Sequence, residues 1–172
     1  MKTIIKKELK NYFYSPIGYI LISFYLLINS LVLFFFETNY NLIKSNFFDI
    51  NSFFELSPWI LLIIIPALCM RAFSEEISNG TIEILLTKPI SLIKVLLSKY
   101  LSIQFVIILC FLLCIPYFLI LNNLINSSSN IDIGVLFVAF ISLILLSSVF
   151  IMISICVSLN FKNQFNIFLI SV

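Results

Sequence analysis

Four long apolar runs, separated by polar segments, dominate the chain; they cover residues 17–36, about 53–70, 100–121 and 133–159. An α-helix rises 1.5 Å per residue, so roughly 20 apolar residues are needed to cross about 30 Å of hydrocarbon. Each run therefore predicts a transmembrane helix. A fifth run, 165–172, is too short to span, and we expect it to be the start of an incomplete fifth helix.

The composition supports a membrane protein rather than a soluble one. The chain is 62% hydrophobic and 10% charged, with a mean hydropathy of +1.17, and a water-soluble domain of 172 residues would lack the polar surface to cover such a core. The first run is longer than a signal-peptide core and lacks a small-residue cleavage site. We predict an all-α polytopic membrane protein with a single transmembrane domain over 1–172.

The distribution of basic residues predicts the orientation. If the N-terminus is cytoplasmic, the outer segments contain only Lys44, and the inner segments contain the other nine basic residues, an arrangement that follows the positive-inside rule. The nine are Lys2, Lys6, Lys7, Lys10, Arg71, Lys88, Lys94, Lys99 and Lys162.

The N-terminal segment, 1–16, has the pattern of an amphipathic helix. One face is apolar and the other is basic. Because a residue before proline avoids the α conformation, Ser15-Pro16 ends this helix, and Gly18 begins the first span. The pattern predicts an interfacial helix on the cytoplasmic side, although a simple topology anchor of positive charge would have the same basic residues. The apolar residues are Ile5, Leu9, Tyr12 and Phe13; the polar ones are Lys6, Lys7, Lys10 and Asn11.

The segment 71–99 is charged and lies between two predicted spans. Glu75 and Glu76 would each cost about 2.5–3.5 kcal/mol at the bilayer centre, so we expect them to face the cytoplasm or a protein partner. Gly80 suits the end of a short helix that begins after Met70, and Thr81 and Glu83 suit the start of a second one. Two further helix signals follow: Pro89 stops the second helix, and Ser91 caps a third that leads into the next span. Apolar Ile82, Leu85 and Leu86 favour a protein-docking surface over a solvated linker.

The apolar runs carry no Asp, Glu, Lys, Arg or His between their interfacial ends, which argues against an ion-coupled carrier. The chain has no phosphate-binding GxxxxGK[ST] loop and no HExxH motif. We therefore predict no catalytic, cofactor-binding or metal site on this chain, and no nucleic-acid partner. Asn29 and Gln104 are the main amides at membrane depth, and we expect them to form hydrogen bonds between helices.

Several sequence blocks resemble the ABC-2 type transporter permeases, and in particular the gliding motility-associated permease subunit of Bacteroidetes-type bacteria. The general pattern GT-x-E-x-LLT-x-P, at 80–89, marks the wider family, whereas SPIGYI and PWILL…MR mark the narrower one. The blocks are KKELKNYFYSPIGYI at 6–20, LSPWILLIIIPALCMRAFSEEISNGTIEILLTKPIS at 56–91, SKYL at 98–101 and, loosely, NIDIG at 130–134.

The resemblance implies a six-span permease of the bacterial inner membrane without ATPase activity of its own. ATP would be bound by a separate cytoplasmic ATP-binding cassette subunit, and a second permease would complete a homo- or heterodimer. The segment after the second span would be the coupling helix, and 1–16 the elbow helix. "Gliding" names the family rather than a phenotype of the organism. The residues implied in coupling are Glu75, Glu76, Gly80, Thr81 and Glu83.

One alternative function stays open on the sequence. A membrane scaffold could use the same cytoplasmic segment, 71–99, to recruit a protein other than an ATPase, without transport. An adjacent gene for an ATP-binding cassette would favour the permease.

Overall fold

The computed structural model describes residues 2–35, 51–78, 91–124, 133–161 and 164–172, and over these residues all regular structure is helical. The prediction of an all-α protein is confirmed. The helices are α1 Lys2–Tyr14, α2 Pro16–Ser30 followed by a π-helical turn at Leu31–Phe35, α3 Asn51–Ser78, α4 Leu92–Leu124, α5 Ile133–Asn160 and α6 Gln164–Ser171.

Three of these helices are long and apolar enough to cross a membrane. Within the described residues they contain the segments Phe53–Ala72, Ile93–Phe118 and Gly134–Asn160, with mean hydropathies of 2.0, 2.4 and 2.8. The first apolar run forms α2, which is long enough to cross a membrane only when it is counted together with α1, and the two helices are bent by 68° from each other. Four spans and a cytoplasmic N-terminus therefore stay predictions.

Helix α3 is longer than the second apolar run. It continues through Arg71 to Ser78, so the short helix expected after Met70 is the end of α3 itself. Helix α4 likewise joins the helix expected after Ser91 to the next span in 33 continuous residues. The reason is that neither glycine nor proline occurs at 67–78 or at 92–115, so nothing in the backbone interrupts the helix.

Helix α3 is central in the bundle, since it packs against α2, α4, α5 and α6. Its contact with α5 is the most extensive, and there the thiol of Cys69 lies beside the hydroxyl of Ser154, both buried. Small residues let two helices approach closely, which matters in a bilayer because apolar side chains gain nothing by leaving lipid.

Phenylalanines fill the end of the bundle where α3 begins and α4 ends. Phe53 is 1% exposed, and its ring centroid lies 5.2 Å from that of Phe118 and 5.3 Å from that of Phe54. Phe140 of α5 meets Phe54 at 5.4 Å and Phe118 at 5.7 Å. We call these four residues the Phe cluster. Their mostly edge-to-face geometry joins α3, α4 and α5.

The turn between α1 and α2 depends on a close backbone approach. Ser15 interrupts the two helices, and Pro16 occupies the first turn of α2, where its missing N–H does no harm. Gly18 is buried, and a Cβ atom built on it would lie 2.3 Å from the carbonyl oxygen of Tyr12. Only glycine fits here without a backbone shift.

Gly18→Ala is expected to lower the free energy of unfolding by about 1–3 kcal/mol, as overpacking does, because the atom it meets belongs to the backbone. The measurement is unfolding in detergent, followed with a dye that reacts with thiols. Cys69, Cys110 and Cys114 are buried, so their thiols react with the dye only when the protein unfolds. Cys156 is exposed and would react in the folded protein, so it is first replaced by serine. Gly134→Ala, at an exposed glycine of α5, is the control, and an equal loss in both variants would contradict the prediction.

Candidate coupling site

Helix α1 turns its apolar face towards the bundle. Tyr12 is buried and Leu9 and Phe13 are half-buried, whereas Lys6 and Lys7 are exposed. The helix packs against the first turns of α2 and against α4. The side that faces the bundle is the one that the sequence pattern marks as apolar.

An acidic residue also lies on the inward side of α1. Glu8 forms an ion pair with Lys99 of α4, with 3.7 Å between Oε1 and Nζ, and the two side chains are only 5% and 2% exposed. The Lys99 ammonium also donates a hydrogen bond to the carbonyl oxygen of Ala72 in α3. One lysine therefore connects three helices.

Two more polar contacts join α1 to α3. The Tyr12 hydroxyl donates to the carbonyl oxygen of Leu68 at 3.4 Å. The Arg71 guanidinium donates to the Ser15 hydroxyl at 2.8 Å, and that hydroxyl lies 3.4 Å from the carbonyl oxygen of Tyr12. We call the set of side chains that makes these contacts the α1 junction: Glu8, Tyr12, Ser15, Arg71 and Lys99.

The sequence analysis missed the α1 junction. It counted Lys99 only among the basic residues of the inner segments and gave Glu8 no role. A signal was present, however: Glu8 follows Ile4 and Ile5 by one helical turn and precedes Tyr12 by one, so it belongs to the apolar face. An acid in that position needs a cationic partner on a neighbouring helix.

The predicted coupling residues are placed only in part. Glu75 and Glu76 belong to the last turns of α3, where the structure describes the helix but not their side chains. Gly80, Thr81 and Glu83 lie outside the described residues. At 1.5 Å per residue, Glu75 lies about 4.5 Å further along α3 than Ala72. Arg71 and Lys99 of the α1 junction are thus the first and last residues of the predicted coupling segment, 71–99.

The α1 junction can act as a mechanical connection. It fixes α1 to the last turns of α3 and to the first turns of α4, the two helices on either side of 79–90. A displacement of either helix would be passed to α1, because charge-assisted bonds hold their geometry more strongly than apolar contacts do.

The amides at membrane depth differ from each other. Gln104 of α4 donates to the Ser147 hydroxyl of α5 at 3.1 Å, a bond between helices as expected. Asn29 does not match the expectation, because its amide donates to the carbonyl oxygen of Tyr25 in its own helix, one turn earlier. The contact from α2 to α3 is made instead by Tyr25, whose hydroxyl donates to Ser57 at 3.2 Å.

The described part of the chain offers no set of three metal-ligating side chains close enough to hold an ion. The buried Tyr25, Asn29 and Gln104 side chains donate hydrogen bonds between or within helices, while the amide oxygens of Asn29 and Gln104 accept none among the described residues. The α1 junction consists of a buried ion pair and of hydrogen bonds between helices.

Comparison with known proteins identifies the family. No curated protein and no solved structure matches the chain. A family model described as ABC-2 family transporter protein matches residues 2–166, which include α1 to α5 and the start of α6. The match covers nearly the whole sequence, and the apolar helices agree with it. The chain therefore belongs to the ABC-2 family of transporter proteins, as a membrane permease subunit.

Proposed function

We propose that this chain is the permease subunit of an ABC exporter of the gliding motility-associated type, in the bacterial inner membrane. A separate cytoplasmic subunit would bind and hydrolyse ATP, and a second permease would pair with this one. Family membership supports a membrane permease with an ATP-binding partner. The sequence blocks at 6–20 and 56–91 support the subtype.

The α1 junction is the observation that carries the mechanism. When the partner binds ATP and closes, it pushes on the segment 74–88. That segment joins the end of α3 to the start of α4, so both helices receive the force. Lys99 holds Ala72 of α3 and Glu8 of α1 together, and Arg71 holds the α1–α2 turn. The elbow helix and both spans would then tilt together and open a path beside the second permease.

The exposed apolar surface supports a membrane position with room for a second permease. In the most apolar part of α5, 17% of the residues are buried, against 50% in the corresponding parts of α3 and α4. Apolar side chains of α5 such as Phe137, Leu145 and Val149 lie on the surface, where lipid or the second permease would cover them.

Reversing two charges tests the coupling. The double variant Glu75→Lys, Glu76→Lys is expected to reduce co-purification of the ATPase subunit at least tenfold. The new lysines would face the basic groups of the ATPase that pair with Glu75 and Glu76, and like charges across an interface weaken a complex by several kcal/mol. The matched control is Glu55→Lys, an exposed acid near the opposite end of the same helix, which should leave co-purification unchanged. Both variants should insert into the membrane to wild-type amounts.

Two results of this experiment would oppose the proposal. Unchanged co-purification after charge reversal would contradict the role of Glu75 and Glu76 in docking. If the ATPase subunit associates fully but its rate of ATP hydrolysis does not change with transport, a membrane scaffold would be favoured.

A further inference from the structure

We infer that the end of α2 is a hinge, in which a π-helical turn slides along the helix. Helix α2 is a regular α-helix as far as Ser30, and the next five residues, Leu31–Phe35, form the π-helical turn. A π-helical bond joins residues five apart instead of four, so such a turn contains one residue more than the α-helix around it. When this extra residue moves towards the N-terminus, the residues that it passes rotate by about 100° around the helix axis.

The turn into which the extra residue would move is supplied with side-chain donors. Three successive carbonyl oxygens there each accept a hydrogen bond from a side chain. The pairs, donor first, are Asn29 to Tyr25 at 2.9 Å, Tyr117 of α4 to Leu26 at 3.2 Å, and Ser30 to Leu27 at 2.9 Å. Sliding takes the backbone N–H away from a carbonyl, and an unpaired carbonyl is costly in hydrocarbon. Because a side-chain donor stays with each carbonyl, sliding costs less here than in an ordinary helix.

The Asn29 side chain also offers a free acceptor. Asn29 is 0% exposed, and its carboxamide oxygen accepts no hydrogen bond among the described residues. A buried acceptor without a partner destabilises a static structure. The same amide group binds the Tyr25 carbonyl, so its oxygen lies beside the backbone bonds of this turn. Asn29 can therefore serve both a carbonyl and an N–H of the backbone once the helical bond between them opens.

Tyr117 contacts α2 on both sides of the boundary between α-helical and π-helical structure. Its hydroxyl binds Leu26 before the boundary, and its ring meets that of Phe34 beyond it, with 6.0 Å between the centroids. Pro116 lacks an N–H, so the backbone of α4 is also weakened beside this contact. Sharp bends of helices occur at prolines and at π-helical turns. Here one of each meets at a single contact between α2 and α4.

The use of this hinge in transport rests on the proposed function. Movement of the α1 junction reaches the start of α2 through the bond from Arg71 to Ser15. Tyr117 directly precedes Phe118 of the Phe cluster, so the far end of α2 is held at that end of the bundle. A helix that is moved at one end and held at the other must bend. The sliding itself needs no ATP and can be measured on the permease alone.

The test is hydrogen–deuterium exchange of the full-length chain in lipid nanodiscs, measured by mass spectrometry. The amides of 26–31 are expected to exchange about tenfold faster than those of 143–148 in α5, because sliding opens their bonds locally. The α5 segment is a matched reference. The Ser147 and Ser148 hydroxyls also bind carbonyls of the preceding turn there, but α5 is a regular α-helix over Ile133–Asn160. Equal protection of the two segments would overturn the inference.

Two substitutions distinguish a hinge from ordinary packing. Tyr117→Phe and Asn29→Leu remove side-chain donors that matter most after sliding, when the backbone N–H has left the carbonyl. Each is expected to slow the exchange of 26–31 about tenfold, which corresponds to the cost of an unpaired buried carbonyl. If these side chains only held α2 in its present structure, their loss would loosen the helix and exchange would be faster. Unchanged or faster exchange therefore contradicts the hinge. Tyr19→Phe, at an exposed tyrosine of α2, is the control and should change nothing.

A deletion removes the extra residue itself. Without Val32, α2 can continue as a regular α-helix to the same end. This variant is expected to unfold at the wild-type concentration of sodium dodecyl sulfate, and its amides at 26–31 should exchange as slowly as those of α5. Deletion of Leu146 is the matched control: α5 has no residue to spare, so the buried residues that follow, such as Ile151, rotate out of their contacts. Equal losses of folded protein in both deletions would overturn the inference.

The exchange results and the proposed function fail separately. If no ATPase subunit co-purifies with the wild-type chain, the permease function is contradicted while fast exchange at 26–31 still supports the hinge. If the ATPase subunit co-purifies but 26–31 is as protected as α5, the hinge is wrong and the permease function stands.

Discussion

Lys99→Met is expected to lower the free energy of unfolding by about 3–5 kcal/mol, because it removes the Lys99 ammonium from the buried ion pair with Glu8. The side chains of both residues are at most 5% exposed, so water cannot replace the lost partner. The substitution also removes the hydrogen bond to Ala72, which joins α3 to α4. Free energies are measured by titration with sodium dodecyl sulfate, using the reaction of the buried thiols as the signal.

A double variant shows whether the loss comes from an unpaired charge. Removing both charges, with Glu8→Leu and Lys99→Met, is expected to restore stability to within about 1–2 kcal/mol of the wild type, because exchanging a whole buried ion pair for apolar groups is often nearly neutral. Lys94→Met is the matched control, since Lys94 is exposed on the same helix and its loss should change little. Additive losses in the double variant would contradict an ion pair that couples α1 to α4.

The same double variant separates stability from function. In this variant an apolar contact between α1 and α4 would restore folding, but the hydrogen bond from Lys99 to the carbonyl oxygen of Ala72 would be lost. If the α1 junction transmits the motion of the coupling segment, that loss should weaken the transmission. A folded double variant with poorly coupled ATPase turnover would support that role. Wild-type coupling would make the ion pair a feature of stability alone.

The sequence predicted the helices well because their physical cause is local. Long apolar runs form helices in a bilayer, where every backbone group needs an internal hydrogen bond, and α3 and α4 continue through Pro58, Pro66 and Pro116. The sequence analysis expected a separate short helix after Met70 that ends before Gly80. Instead α3 continues without a break to Ser78, because a charged residue such as Arg71 does not interrupt a helix.

The α1 junction could not be predicted because it depends on tertiary contacts. Glu8 and Lys99 are 91 residues apart in sequence, and Arg71 contacts Ser15 over 56 residues. A single sequence shows that Glu8 is in an apolar face, but not which lysine reaches it. The coupling residues at 75–83 were implied by the family resemblance, and of these only Glu75 and Glu76 belong to a described helix.

Phe53→Ala is expected to lower the free energy of unfolding by about 2–3 kcal/mol. In soluble cores this change costs about 3–5 kcal/mol, of which one part is transfer from water and another is the cavity left behind. The transfer part is small here, because helices that separate within a micelle or bilayer keep Phe53 in an apolar environment. The cavity part stays, since Phe53 is 1% exposed and its ring meets those of the other three residues of the Phe cluster.

Two comparisons test whether the Phe cluster, rather than hydrophobicity, holds α3, α4 and α5 together. Phe137→Ala removes an identical side chain that is 67% exposed on α5, so it creates no cavity and should cost well under 1 kcal/mol. Phe53→Leu keeps most of the volume and should cost less than Phe53→Ala. Equal losses at Phe53 and Phe137 would show that the protein gains nothing from ring packing. The expected difference would instead mean that shape complementarity in the Phe cluster fixes the helices at this end of the bundle. The α1 junction lies at the opposite end, so the helices would tilt around the Phe cluster.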